Sequence, residues 1–216
     1  TYIRKGIFIN IKRVKKKGNC ISIDELIYFK KNKINLKKNT FLITFDDGFE
    51  NNYSVAAPIL DDLKLPTTFY FSTEFIEKNS MSWIDKIEHC LQETNIKYLK
   101  LPWLKKKISI KDNNRKIYTA ENIRKYIKPR LNFKIDSFLN NISSQTKVKI
   151  LNNTNYEIDK KINWKKIKKM NQNSLFTFGG HSHEHKSLAS FNNKSLIKQI
   201  DMSINFFKKK SKIDLM

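Results

Sequence analysis

A chain of 216 residues fits one domain, or one domain carrying an insertion, and is long enough to bury a core, which excludes a small accessory peptide. A formal net charge of +23 suggests phosphate binding at first sight, but lysines are scattered through nearly every segment, in short clusters such as Lys15 to Lys17, Lys105 to Lys107 and Lys208 to Lys210. No basic arm or single basic helix dominates, so the charge reads as a solvated surface with no specific nucleic-acid partner, and attraction to acidic glycans, anionic lipid or nucleic acid is a secondary consequence.

Cys20 and Cys90 lie far apart, outside any ligand spacing, and are expected to be free thiols. No apolar run approaches the length of a transmembrane segment, and no signal peptide is visible. The sequence starts with Thr1, so the natural N-terminus is expected to be missing, which leaves both a cytoplasmic and a cell-envelope location open.

Along the chain, a short apolar stretch at Gly6 to Ile11 precedes a basic turn through Gly18. A helix is predicted from Ser22, where Glu25 three residues on resembles a capping box and Ile23, Leu26, Ile27 and Phe29 supply an apolar face. Phe41 to Phe49, reading FLITFDDGF, is a strand-like run that ends on two carboxylates and a glycine. An amphipathic helix follows through Tyr53, Ala56, Ala57, Leu60 and Leu63, stopped by Pro66. Thr67 to Phe71 reads as a second strand, and a strand, helix, strand crossover of this size implies a parallel pair.

Ser82 to Glu93 is predicted helical. Residues 97–161 differ in kind, rich in Lys and Asn, with a hairpin expected around Ile108 to Tyr118 and helices near Ala120 to Ile127 and Ile135 to Ile142. They read as a mainly helical insertion within one domain spanning 1–216, because no tight connection needs so many residues. Trp164 to Asn171 reads as a helix and Ser174 to Phe178 as a strand closing on Gly179 and Gly180. Beyond the following histidine cluster, Ser195 to Lys208 is amphipathic through Leu196, Ile200, Ile204 and Phe207.

Three of the four histidines, His181, His183 and His185, fall within five residues directly after that strand. A helical turn or compact loop would aim His181 and His185 at one centre, and a His pair with one carboxylate is the catalytic form of a zinc-type site. Strand ends in a parallel sheet or barrel share a rim, which places Asp46 and Asp47 near the pair. One carboxylate would complete the metal shell while its neighbour accepts a proton from an activated water. His183 reads as a supporting or exposed residue, Glu184 as solvated, and His89 as a surface or core histidine.

Thr44-Phe45-Asp46-Asp47-Gly48 together with His181-Ser182-x-x-His185 resembles the first two motifs of the polysaccharide deacetylase family, the NodB homology domain. Ala57-Pro58-Ile59-Leu60, Leu65-Pro66-Thr67-Thr68-Phe69 and Asn163-Trp164 are similar in context. The resemblance implies an α/β fold, a partial distorted (β/α)7 barrel, here with the helical insertion. It implies Asp46 as general base, Asp47, His181 and His185 as ligands of a divalent metal, usually zinc, and an N-acetylated glycan as substrate. No Arg-x-Pro-Tyr motif and no later Leu-x-His is found, segments that in the family orient the base, form part of the oxyanion pocket and supply the general acid. The chain is therefore expected to be a fragment, truncated at the C-terminus and nearly inactive alone. The alternative is a non-catalytic glycan-binding or structural remnant of the same fold.

Overall fold

The computed structural model describes residues 10–153 and 159–215; most of the expected apolar stretch at Gly6 to Ile11 lies outside them. The chain divides into two compact units. One gathers the described residues of Thr1–Asn79, Asn155–Lys186 and Asn193–Met216, the other those of Ser80–Thr154 and Ser187–Asn192.

The first unit opens with β1 (Asn19–Cys20) and α1 (Ile23–Lys31). The capping box at Ser22 forms: its hydroxyl accepts from the Glu25 N–H at 3.1 Å, and the Glu25 carboxylate accepts from the Ser22 N–H at 2.7 Å. The expected apolar face of α1 is not buried, and Ile27 remains 39% exposed.

The FLITFDDGF run is not one strand but two short ones. Thr40–Phe41 (β2) pairs in parallel with β1, and Thr44–Phe45 (β3) pairs in parallel with β4 (Thr67–Phe71), Thr44 opposite Thr68 and Phe45 opposite Phe69. The extended backbone changes neighbours between Phe41 and Thr44, and so serves two ladders. The helix between β3 and β4 is also divided, into a π-helical turn at Asn52–Ala56 and α2 at Ala57–Asp62. Pro58 accounts for this. It has no N–H for the carbonyl four residues back, its ring would crowd that carbonyl, and widening the preceding turn relieves both.

The strand β7 (Phe176–Gly180) adds to the other side of β4, also in parallel, with Phe69 opposite Phe178 and Phe71 opposite Gly180. The order β3–β4–β7 brings the ends of β3 and β7 to the same rim of the sheet, one strand apart. Behind it lies an aromatic core. Phe69 stacks on Phe45 at 5.4 Å between centroids and meets Phe176 edge-on at 5.3 Å, while Phe71 stacks on Phe207 at 5.5 Å. Completing this unit are α3 (Thr73–Lys78), α7 (Trp164–Met170) and α8 (Asn193–Ser211).

The helix α8 is turned away from the expected face. Of Leu196, Ile200, Ile204 and Phe207, only Phe207 is fully buried; Ile200 and Ile204 are 43% and 42% exposed, and Gln199, Ser203 and Ser211 face inward instead. Two constraints explain the rotation. Gln199 clamps the loop after β7, donating to the Glu184 carboxylate at 3.0 Å and accepting from the Glu184 N–H at 3.1 Å. A small residue must also face Gly180, since a Cβ there would lie 3.3 Å from the Ser203 hydroxyl.

The second unit contains α4 (Trp83–Glu93), β5 (Tyr98–Leu99), β6 (Ile108–Ser109), α5 (Asn113–Ile127) and α6 (Ile135–Thr146). It begins at Ser80, ahead of residue 97, and takes in α4. The hairpin expected at Ile108 to Tyr118 does not form: β6 pairs antiparallel with β5, and Asp112 caps α5 by accepting from the Arg115 N–H at 3.0 Å. Ile87, Leu91, Ile123 and Ile142 are buried in its own core, beside which Trp103 stacks on Tyr126 at 3.9 Å. Cys90 is buried here, Cys20 is half-buried in the first unit, and both are free thiols. Among the described residues, no helix is long and apolar enough to cross a membrane.

Candidate metal centre

At the end of β3 the backbone turns through two consecutive left-handed residues, Asp47 at φ 68° and Gly48 at φ 75°. Asp tolerates this region better than most side chains, and glycine meets no steric penalty there. The Gly48 N–H donates to the Asp46 carbonyl at 2.9 Å. Its own carbonyl accepts from the Ile162 N–H at 2.9 Å, and the Glu50 N–H donates to the Lys160 carbonyl at 2.7 Å, so the segment before α7 pins the turn from outside. Gly48→Ala is expected to destabilise the chain by about 2–4 kcal/mol, from the left-handed backbone together with overpacking. Its Cβ would lie 2.9 Å from the Phe71 ring. A urea midpoint unchanged from that of the natural sequence would contradict this.

Past β7 the chain forms a compact loop, held largely through its backbone. The His181 N–H donates to the Phe71 carbonyl at 2.9 Å. The carbonyls of Ser182 and His183 accept from the first N–H groups of α3, those of Thr73 at 3.4 Å and Glu74 at 3.0 Å, donors that a helix start leaves unused. Ser182 and His185 both take left-handed φ, 62° and 56°, and the Ser182 hydroxyl accepts from the His185 N–H at 3.1 Å. Three non-glycine residues in an uncommon backbone region, all at one rim, mark a place where geometry outweighs local ease.

The result is a convergence. The Asp47 Oδ1 atom lies 3.3 Å from His181 Nε2 and 2.8 Å from His185 Nε2, and the three donor atoms lie within 4.8 Å of one another. The contacts are short but misdirected. Oδ1 is buried and accepts no hydrogen bond of acceptable geometry from either ring. Burial opposes ionisation of Asp47, yet the close approach of His185, reinforced by the charges of His181 and Lys161, outweighs it and holds the carboxyl below its ordinary value. Ligand atoms around tetrahedral zinc sit about 3.4 Å apart, given bonds of about 2.0–2.2 Å. An orphaned carboxylate oxygen facing two imidazole nitrogens at nearly that spacing fits a divalent ion.

The structure thus brings together Asp47, His181 and His185 and leaves Asp46 beside them, outside the donor cluster. Asp46 is exposed, and its carboxylate has no partner among the described residues. His183 is buried, with Nδ1 2.7 Å from the Thr73 hydroxyl. Glu184 is half-buried and bound to Gln199 and Lys186, not free in solvent.

Sequence reasoning missed Lys161, which it assigned to the insertion. Lys161 is 4% exposed, donates to the Asp159 carbonyl at 2.9 Å, and places its ammonium 3.7 Å from the Phe49 ring centroid. A single lysine among so many carries no signal of burial. Also missed were Glu50, buried and paired with Lys166, and Phe75, packed 4.8 Å from the His185 ring.

No curated protein matches the chain. Among solved structures, it is similar to IcaB from Ammonifex degensii, at 12% identity and TM-score 0.54, over 98% of this chain and 63% of that one. It is also similar to the Streptococcus pyogenes deacetylase PplD in complex with acetate, at 14% identity and TM-score 0.51, over 95% of this chain and 56% of that one. The chain therefore spans less than two thirds of each, and at such identity the likeness establishes the fold alone: α/β, the partial barrel expected from the sequence. A family model for polysaccharide deacetylase matches residues 33–214, taking in both the Asp-Asp-Gly turn and the histidine loop, and on that match the chain belongs to the polysaccharide deacetylase family.

Proposed function

We propose that the chain supplies the metal-holding and base-bearing part of a hydrolase that removes acetyl groups from N-acetylated sugars of a glycan. One observation carries the reading: the buried, undirected Oδ1 of Asp47 set between the Nε2 atoms of His181 and His185, with Asp46 unpartnered beside it. Asp47, His181 and His185 would hold the ion, most simply zinc given two imidazoles and one carboxylate. A divalent ion there supplies Lewis acidity, polarising an acyl oxygen and making water easier to deprotonate.

The chain's own residues do the rest. Asp46, on the same turn but outside the donor cluster, is free to take the proton from the attacking water. The start of α3 fixes the histidine loop, so the imidazoles are aimed before substrate arrives. Phe75 covers one side of His185 and limits access of solvent there. Lys161 adds a positive charge beside Asp47 and favours its ionised form, the one that a cation requires.

The test is acetate release from N-acetylglucosamine oligomers by the full-length protein, before and after a chelator, with zinc then restored. Activity should disappear with chelation and return with zinc. Activity indifferent to the chelator would overturn the reading, whereas sugar binding without any acetate release at any metal loading would favour the non-catalytic glycan-binding alternative.

A further inference from the structure

The histidine loop has a second side. His183, between His181 and His185 in sequence, lines an open cavity of about 480 Å³ along α8, within the size range of small-ligand sites. Lys194, Lys198 and Lys209 also line it, and none of the three has an acidic partner among the described residues. Their neighbours differ: Lys208 pairs with Asp214 at 2.8 Å, and Lys210 pairs with Glu77. Within α8, the lysines facing the cavity are thus the ones outside a direct ion pair, three ammonium groups against the single carboxylate of Asp201 in the same wall. Phe206 and Met202 give it an apolar wall, and the Phe206 ring lies 5.4 Å from that of His183. Asp201 and Asn205 add hydrogen-bonding groups.

We infer that this cavity is a subsite for an acidic sugar unit, one bearing a carboxylate or a phosphate. Each part of the wall matches a part of such a ligand. An aromatic face takes the C–H face of a pyranose ring, Asp201 and Asn205 bond its hydroxyls, and the unpaired ammonium groups take the anion. A neutral sugar would leave the lysines unused, and a bare anion would leave the Phe206 wall uncovered. The inference rests on the glycan reading above and deepens it, because the subsite shares a loop with the proposed metal centre and would select polymers carrying negative charge near the acetylated unit.

The experiment is calorimetric titration of the full-length protein, in its Asp47→Asn form so that neither metal nor turnover is needed. Four probes are compared: a uronate trisaccharide, a phosphorylated sugar, neutral tri-N-acetylglucosamine and inorganic phosphate. Either acidic probe should bind more tightly than the neutral one, and the stronger of the two identifies the anion. The pair Lys198→Gln with Lys209→Gln should weaken acidic-probe binding about tenfold, the scale of two charge-assisted contacts, while Lys208→Gln leaves it unchanged. Phe206→Ala should weaken the sugar acid but not inorganic phosphate. Equal binding of acidic and neutral probes, or equal loss in the double variant and in Lys208→Gln, overturns the subsite, since general attraction to a chain of net charge +23 would then suffice. Loss of acetate release in the full-length protein with these titrations intact would refute the deacetylase reading and leave the subsite standing.

Discussion

Asp46→Asn is expected to lower acetate release by the full-length protein about 10²–10⁴-fold and to leave zinc affinity unchanged, the range for loss of a positioned general base. Asp47→Asn should lower both. These neighbours differ by one residue and one backbone conformation. The Asp47 carboxylate is half-buried against two imidazoles and held below its ordinary pKa, whereas Asp46 is exposed, with no partner among the described residues. Removing the Asp47 charge takes away one of three ligands, and since even a supporting residue behind a ligand is worth about 10–100-fold in affinity, the loss should be at least about 100-fold. Zinc titration of each variant, alongside acetate release, separates the roles. Equal losses of zinc affinity in both would show that the carboxylates share the ion, and full activity in Asp46→Asn would remove it as the base.

Phe69→Ala should cost about 3–5 kcal/mol, the largest stability effect expected from any single truncation in the first unit. The ring is fully buried at the centre of β4, stacked on Phe45 from β3 and edge-on to Phe176 and Phe178 from β7. Its removal deletes contacts to both neighbouring strands at once, and the aromatic rings around it cannot all close on the space. Against a typical domain stability of about 5–15 kcal/mol, this is a large share. Because β4 joins β3 to β7, the two halves of the metal centre should loosen as well, and zinc affinity should fall with the urea midpoint. A stability loss under about 1 kcal/mol would mean that the core repacks around the gap.

Much of the site was legible without coordinates because its chemistry is local. Asp-Asp-Gly after an apolar run and His-x-x-x-His after another announce strand ends, and strand, helix, strand connectivity makes those strands parallel with their ends on one side. The pairing of Thr44 with Thr68 and of Thr68 with Thr177 is that expectation realised. The capping box at Ser22 is equally local, since it needs only a serine and an acid three residues later.

What failed did so where a long-range partner decides. Leu196, Ile200 and Ile204 form an apolar stripe by periodicity, but α8 presents Gln199 and Ser203 to the sheet, because one clamps the histidine loop and the other faces Gly180 at close range. The FLITF run reads as one strand, yet two ladders claim its two ends. Residue types and local pattern reveal which groups carry the chemistry and on which elements they sit. Which carboxylate turns toward the imidazoles, through left-handed backbone at Asp47, and which lysine among many is buried nearby are set by the folded neighbourhood, because burial and orientation depend on neighbours far apart in the chain.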